Sequence, residues 1–158
     1  MKNRVIFKNL DEVYHALDDM KIKSFIPHPS GSWSLYENLV HCSQAIEFSI
    51  HGFPKQHSWL FQHTVGKLAF HVFSTRGYMW HRTSEGIPNA PVIIPSEDFA
   101  SGITRLQKAI IDFDEFKGDV QPHFTYGRLS KRNLDRANAM HVANHWQLFD
   151  LHELITIG

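Results

Sequence analysis

The chain holds a single cysteine, Cys42, among 158 residues. That excludes an internal disulfide and any metal site built on a cysteine cluster. An excess of charge is missing too: 16 Lys and Arg face 16 Asp and Glu. Such a balance gives no electrostatic footing for nucleic acid or an anionic membrane as partner. No apolar run approaches the roughly 20 residues needed to span a bilayer. The opening MKNRVIFKNLDEVYHAL is basic at first, but acids follow before a signal-peptide core can form. Internal repeats and low-complexity tracts are not found. The expectation is a soluble, cytoplasmic protein with one domain over residues 1–158. Its 42% hydrophobic and 13% aromatic content is enough to bury a real core.

Five stretches carry the spacing of helices. Residues 9–21 place Leu10, Val13, Tyr14 and Leu17 on one face, with Asn9 as N-cap. The stretch IPHPSGSW (26–33) then breaks regular structure. Ser32 or Ser34 caps a second helix over about 34–51, and Glu37 can complete a capping box from Ser34. Its main stripe is Leu35, Leu39, Cys42, Ile46 and Phe53, and GFP (52–54) ends it. A third helix is expected over about 58–82, with Phe61, Val65, Leu68, Val72, Thr75 and Met79 facing inward. Gly66 and Gly77 weaken it. The three prolines of EGIPNAPVIIP (85–95) make an irregular crossing. A fourth helix, about 96–114, starts at Ser96 and carries Phe99, Ile103, Leu106, Ile110 and Phe113. A loop over 115–129 leads to a fifth, from about Ser130 to 151. VIIP alone would be a strand without a partner. Four long amphipathic helices and a short one predict an all-α bundle with long crossovers.

What the chain has in abundance is histidine, 12 residues. Within AMHVANHWQLF (139–149), His141 and His145 stand four apart. Roughly one such pair is expected by chance at this content, so the spacing alone carries nothing. Its setting carries more. Leu134, Ala137, His141, His145, Leu148 and His152 fall within about 60° of one direction on the last helix. Two imidazoles then lie on a face that should be buried, where an unpaired polar group costs about 1–3 kcal/mol. Either each is hydrogen-bonded within the bundle, or a metal takes one nitrogen of each and a further ligand comes from elsewhere. His41 lies about 120° from the centre of its helix's main stripe, so periodicity does not select it over His63 or His71. His15, His28, His51 and His57 sit near ends or turns and are expected in solvent. His81 and His123 lie near loops and fit either role.

Three segments together resemble a known family: W-S-L-x-E-N-L-V-H-C-x-Q-x-I-E (33–47), P-H-F-x-Y-G-x-L-S-K (122–131) and M-H-x-x-N-H (140–145). Their order and spacing are similar to a branch, without assigned function, of the DinB/YfiT-like metalloenzyme superfamily. The resemblance covers roughly residues 4–152. It implies an up-down-down-up four-helix bundle, often dimeric, that binds one divalent metal through three histidines. By position these are His41, His141 and His145. Relatives include thiol-dependent transferases and a thiol-dependent isomerase. Where this branch often has adjacent histidines before the last ligand, this chain has Asn144, a candidate contact to the ligands.

Three neutral imidazoles would leave an ion an open position, the pattern of a catalytic site. Affinity order favours copper, zinc and nickel. Zinc or nickel is expected first, iron or manganese next. Such an ion lowers the pKa of water or a thiol, and the resemblance points to a small-molecule substrate and a low-molecular-weight thiol. The expected function is a metal-dependent thiol transferase or hydrolase. A non-catalytic metal-binding or stress-response bundle is the alternative, and a structural bundle with hydrogen-bonded histidines is a third. Catalytic residues are not identified. Glu37 and Glu47 are candidate bases, with solvated helix surface the favoured role. His123 and Tyr126 can line the pocket mouth or serve the turn that Gly127 suggests. Cys42 is expected as a buried thiol, and Trp33, Trp59, Trp80 and Trp146 as core and bundle-end packing.

Overall fold

The computed structural model describes residues 4–23 and 33–148. The expected break over 26–32, His28, Ser32 and the far end of the last helix with His152 lie outside those residues. The described chain is all helical, with no strand, and VIIP is irregular as expected.

Helix α1, Leu10–Lys23, begins where the Asn9 carboxamide oxygen accepts the Glu12 N–H at 3.0 Å. It buries Leu10, Val13, Leu17 and Met20. Helix α2, Leu35–His51, opens on the expected capping box. Ser34 Oγ accepts from Glu37 N–H, and Glu37 Oε2 accepts from Ser34 N–H. It closes at Gly52. The expected stripe of α2 is buried at Leu39, Cys42 and Ile46, but burial does not stop at a stripe. Every residue from Asn38 to Ile46 is buried, because α2 packs along both neighbouring long helices described below.

The third helix departs from the sequence pattern. An α-helical turn, Trp59–Phe61, runs into a π-helical segment, Gln62–Gly66, and on into an α-helix, Lys67–Arg76. The junction residues are all right-handed, so 59–76 is one rod, α3. Gly77, at φ 78°, ends it well before 82. Val65 and Leu68, expected inward, are exposed, as is Thr75. The inner face is Gln62, Gly66, Ala69, Phe70 and Phe73. The wide π turn shifts the phase of the helix, and the inward residues within it, Gln62 and Gly66, are polar or lack a side chain. Gly66 faces the loop so closely that a Cβ there would lie 2.1 Å from the Thr125 carbonyl oxygen. Gln62 Nε2 donates to the Phe124 carbonyl at 3.0 Å. Hydrophobic periodicity cannot detect a contact of that kind.

Helix α4, Phe99–Glu115, is capped by Asp98 rather than Ser96, and buries Ile103, Leu106, Ile110 and Phe113 as expected. Helix α5, Lys131–Trp146, is capped by Ser130 and gives way to a turn at Gln147 and Leu148, short of the expected end near 151. The broadest packing is α2 against α4. Helix α2 also packs on α5, α1 touches both α4 and α5, and the last segment of α3 meets α5. A smaller apolar cluster of Ala45, Phe53 and Ile87 joins α2 to the loop over 77–98. Residues 123–127 form a tight turn in which His123 and Gly127 exchange both backbone hydrogen bonds at 2.9 Å, with Gly127 at φ 68°. Of the tryptophans, Trp146 is buried against Phe7 and Trp33 is partly buried. Trp59 and Trp80 are exposed, at 70% and 74%, contrary to expectation. No helix among the described residues is long and apolar enough to cross a membrane.

Candidate metal centre

The axial position of α2 brings His41 inside despite its place off the main stripe. One turn of α5 carries His141 and His145 towards it. The candidate ligand atoms of the three all lie within 4.8 Å of one another. His41 Nε2 and His141 Nε2 are 3.1 Å apart. Two nitrogens bound to one ion at about 2.0–2.1 Å would stand about 3.0–3.4 Å apart, so the observed spacing suits shared ligation. His41 and His145 are 3% and 2% exposed, and His141 is half-buried.

Proton positions follow from the surroundings. Asn38 sends its amide N–H groups to the carbonyls of Ser34 (2.8 Å) and Trp33 (3.3 Å). Its oxygen must therefore face His145 Nδ1, at 2.7 Å, and accepts that N–H. The Nε2 of His145 is left as a lone pair, buried and without a partner among the described residues. His41 Nδ1 is also unpartnered. Burial pushes His41 down to about 4, with His81 adding to the effect. Burial likewise holds His141 and His145 well below the usual histidine range. His145 and His81 add to the shift for His141, and His41 and His81 for His145. At neutral pH these imidazoles are uncharged, so each keeps one ring nitrogen with a free lone pair, and for His145 that nitrogen is Nε2. A set of neutral, partly unpartnered nitrogens this close together could hold a metal ion.

The ring of a fourth histidine lies beside two of them, outside the group whose ligand atoms converge. The His81 ring lies 4.8 Å from that of His141 and 5.1 Å from that of His145. Its spacing left it unassigned, because a loop residue has no periodicity to test. Asn144 donates to the His81 carbonyl at 3.2 Å, so it contacts the loop that carries His81. His123 has a different role. Its Nδ1 accepts from the N–H groups of Thr125 (3.1 Å) and Tyr126 (3.3 Å), and its ring stacks on Tyr126 at 4.4 Å. Burial, with His57 and His81, pushes it down to about 3. Burial pushes the Tyr126 phenol up to about 12.

A cavity of about 390 Å³ adjoins the histidines. His41, His81, His123 and His141 line it, with Phe73, Tyr126 and other apolar residues. A larger depression of about 800 Å³ between α1, α4 and α5 carries no histidine and lies apart from this chemistry. The remaining sequence candidates are not brought to the cluster. His63 and His71 are exposed on α3, and His15 and His51 are exposed as expected. His57 stacks on Phe61 at the cavity edge. Glu37 serves its capping box, and Glu47 holds Arg105 in a two-pronged ion pair at 2.9 and 2.8 Å. Cys42 is 2% exposed, and burial raises its thiol far above the usual range, so it is no nucleophile.

No curated protein and no solved structure matches the chain significantly. The model of one family, described as protein of unknown function (DUF1569), matches residues 1–151. With the match running over nearly its whole length, the chain belongs to the DUF1569 family.

Proposed function

We propose that this is a divalent-metal-dependent enzyme of the DinB/YfiT-like type, in which His41, His141 and His145 hold the ion and a small thiol or water is the nucleophile. The observation that carries the proposal is the convergence of three neutral imidazoles, with unpartnered buried nitrogens, beside a cavity. The contacts of α1, α2, α4 and α5 support a four-helix bundle of that type. Exposed Trp59, Leu60, Val65 and Leu68 on α3 support a homodimer. A cytoplasmic setting belongs to the same proposal. Zinc and nickel suit the donor set best, iron and manganese next.

A bound ion would supply Lewis acidity that lowers the pKa of water or a thiol towards neutrality. The chain supplies the rest. Asn38 fixes the His145 tautomer and ring orientation. His123, locked by two backbone N–H groups, and Tyr126 form a rigid wall. Phe73, Met79 and Ile87 give the cavity an apolar lining for the body of a small electrophile. The alternative is a metal-binding or stress-response protein without turnover.

Metal analysis of the purified protein tests the site. Stoichiometric metal in the wild type, lost in His141→Ala and His145→Ala, is expected. Full metal retention in both variants would refute it. A screen with small thiols and electrophiles, with water as the other nucleophile, separates enzyme from binder: no metal-dependent turnover favours the binder.

A further inference from the structure

The loop over 77–98 brings His81 to the three histidines, although nothing in the spacing of the chain points to it. Its Nδ1 N–H donates to the Arg82 carbonyl at 2.8 Å. That bond fixes the proton on Nδ1 and leaves Nε2 as a lone pair. The same Nε2 is buried and has no partner among the described residues. An orphaned buried acceptor of this kind costs about 1–3 kcal/mol, so something should satisfy it.

The ring spacings identify the surroundings. His41, His141 and His145 have centroids 4.9, 4.7 and 4.8 Å apart, and His81 lies 4.8 and 5.1 Å from two of them. Imidazoles that share one ion at about 2.0–2.1 Å have centroids about 4.5–5.2 Å apart when they occupy adjacent positions. The two His81 spacings, to His141 and His145, fall in that range, as do the three among His41, His141 and His145. The backbone is held to the purpose as well, since Asn144, one residue before His145, binds the His81 carbonyl. A ligand, a second ligand's neighbour and the loop are thereby tied together.

We propose that His81 is a fourth protein ligand, through Nε2, to a divalent transition ion held by His41, His141 and His145. The proposal rests on the three-histidine reading above and sharpens it. Four imidazoles fill a tetrahedral ion. An ion that takes six ligands, such as nickel or iron, keeps two positions free. With His81 bound, nickel or iron would leave room for a nucleophile, whereas zinc, one of the ions named above, would be closed to one.

The test uses cobalt(II) on the full-length, chelator-treated protein, read by visible absorption and X-ray absorption. The wild type should bind one cobalt with four imidazoles in its shell. His81→Ala and His81→Gln, checked for folding by circular dichroism, should still bind cobalt, at least about 10-fold more weakly, with oxygen replacing one imidazole. His141→Ala should lose binding. Three imidazoles in the wild type, or affinity and spectra unchanged in both His81 variants, would overturn the proposal while leaving the three-histidine site standing. A wild type that binds no cobalt would overturn both. The imidazole count in the wild type decides the matter even if neither His81 variant folds.

Discussion

Removing the Asn38 carboxamide should weaken both the fold and metal binding at the proposed centre, by separable amounts. In Asn38→Ala, His145 Nδ1 loses the acceptor now 2.7 Å away, in a place that is only 2% exposed. An orphaned buried donor costs about 1–3 kcal/mol. In a chain of this size each kcal/mol lowers the melting temperature by about 2–4 °C, so the metal-free variant should melt about 2–12 °C lower. The second effect concerns the proton. With no acceptor on Nδ1, the imidazole is free to carry its proton on Nε2, where a metal would bind. Loss of such an orienting partner typically weakens metal binding 10- to 100-fold, about 1.4–2.7 kcal/mol. Asn38→Asp keeps an acceptor oxygen and should bind metal more tightly than Asn38→Ala. Scanning calorimetry in chelator gives the first quantity, and calorimetric titration with zinc and nickel gives the second. If Asn38→Ala binds both ions as tightly as the wild type, Asn38 does not orient a ligand.

Gly66→Ala places a methyl group 2.1 Å from the Thr125 carbonyl oxygen, so α3 or the turn must move. Overpacking of this kind costs about 1–3 kcal/mol, and urea unfolding should show it; an unchanged midpoint would mean that the close approach is absent. Acid should destabilise the metal-free protein. His41 at about 4 and His123 at about 3 lie below the usual 6.5, so the unfolded chain binds more protons as pH falls below 6.5. Each contributes on the order of 2 kcal/mol of lost stability by pH 5, and both contributions are fully present above pH 6.5. A melting temperature that stays flat from pH 7 to 5 in chelator would contradict their burial as neutral groups.

The helices of the core were legible because their periodicity and caps agree. Leu10, Val13 and Leu17 on α1, and Ile103, Leu106, Ile110 and Phe113 on α4, are one-sided stripes that are buried as read. Ser34 with Glu37 forms its box for local reasons that need no tertiary contact. The pattern failed where burial is not apolar. On α3, Gln62 and Gly66 make the inward contact and Leu68 points outward, so a hydrophobicity rule selects the opposite face. His41 was invisible to periodicity because α2 is buried on nearly all sides, and a helix without a solvent face has no stripe to deviate from. Only the resemblance singled it out. His81 was legible by neither route. It reaches the cluster through a loop, and loop geometry is set by contacts such as Asn144 to the His81 carbonyl, which join residues 63 positions apart.

The enclosure of α2 also bears on how this protein can vary. Ser43 and Ser49 return their hydroxyls to carbonyls of their own helix, Gln44 reaches the Pro91 carbonyl, and Asn38 serves both the cap and His145. Four of its eleven buried positions therefore answer to two constraints at once, volume and a hydrogen-bond partner. In a library of single substitutions, α2 should be the least tolerant stretch and the outer face of α3 the most permissive. Variation would then collect in the loop over 77–98 and the turn at 123–127, around a helix that has almost no freedom to drift.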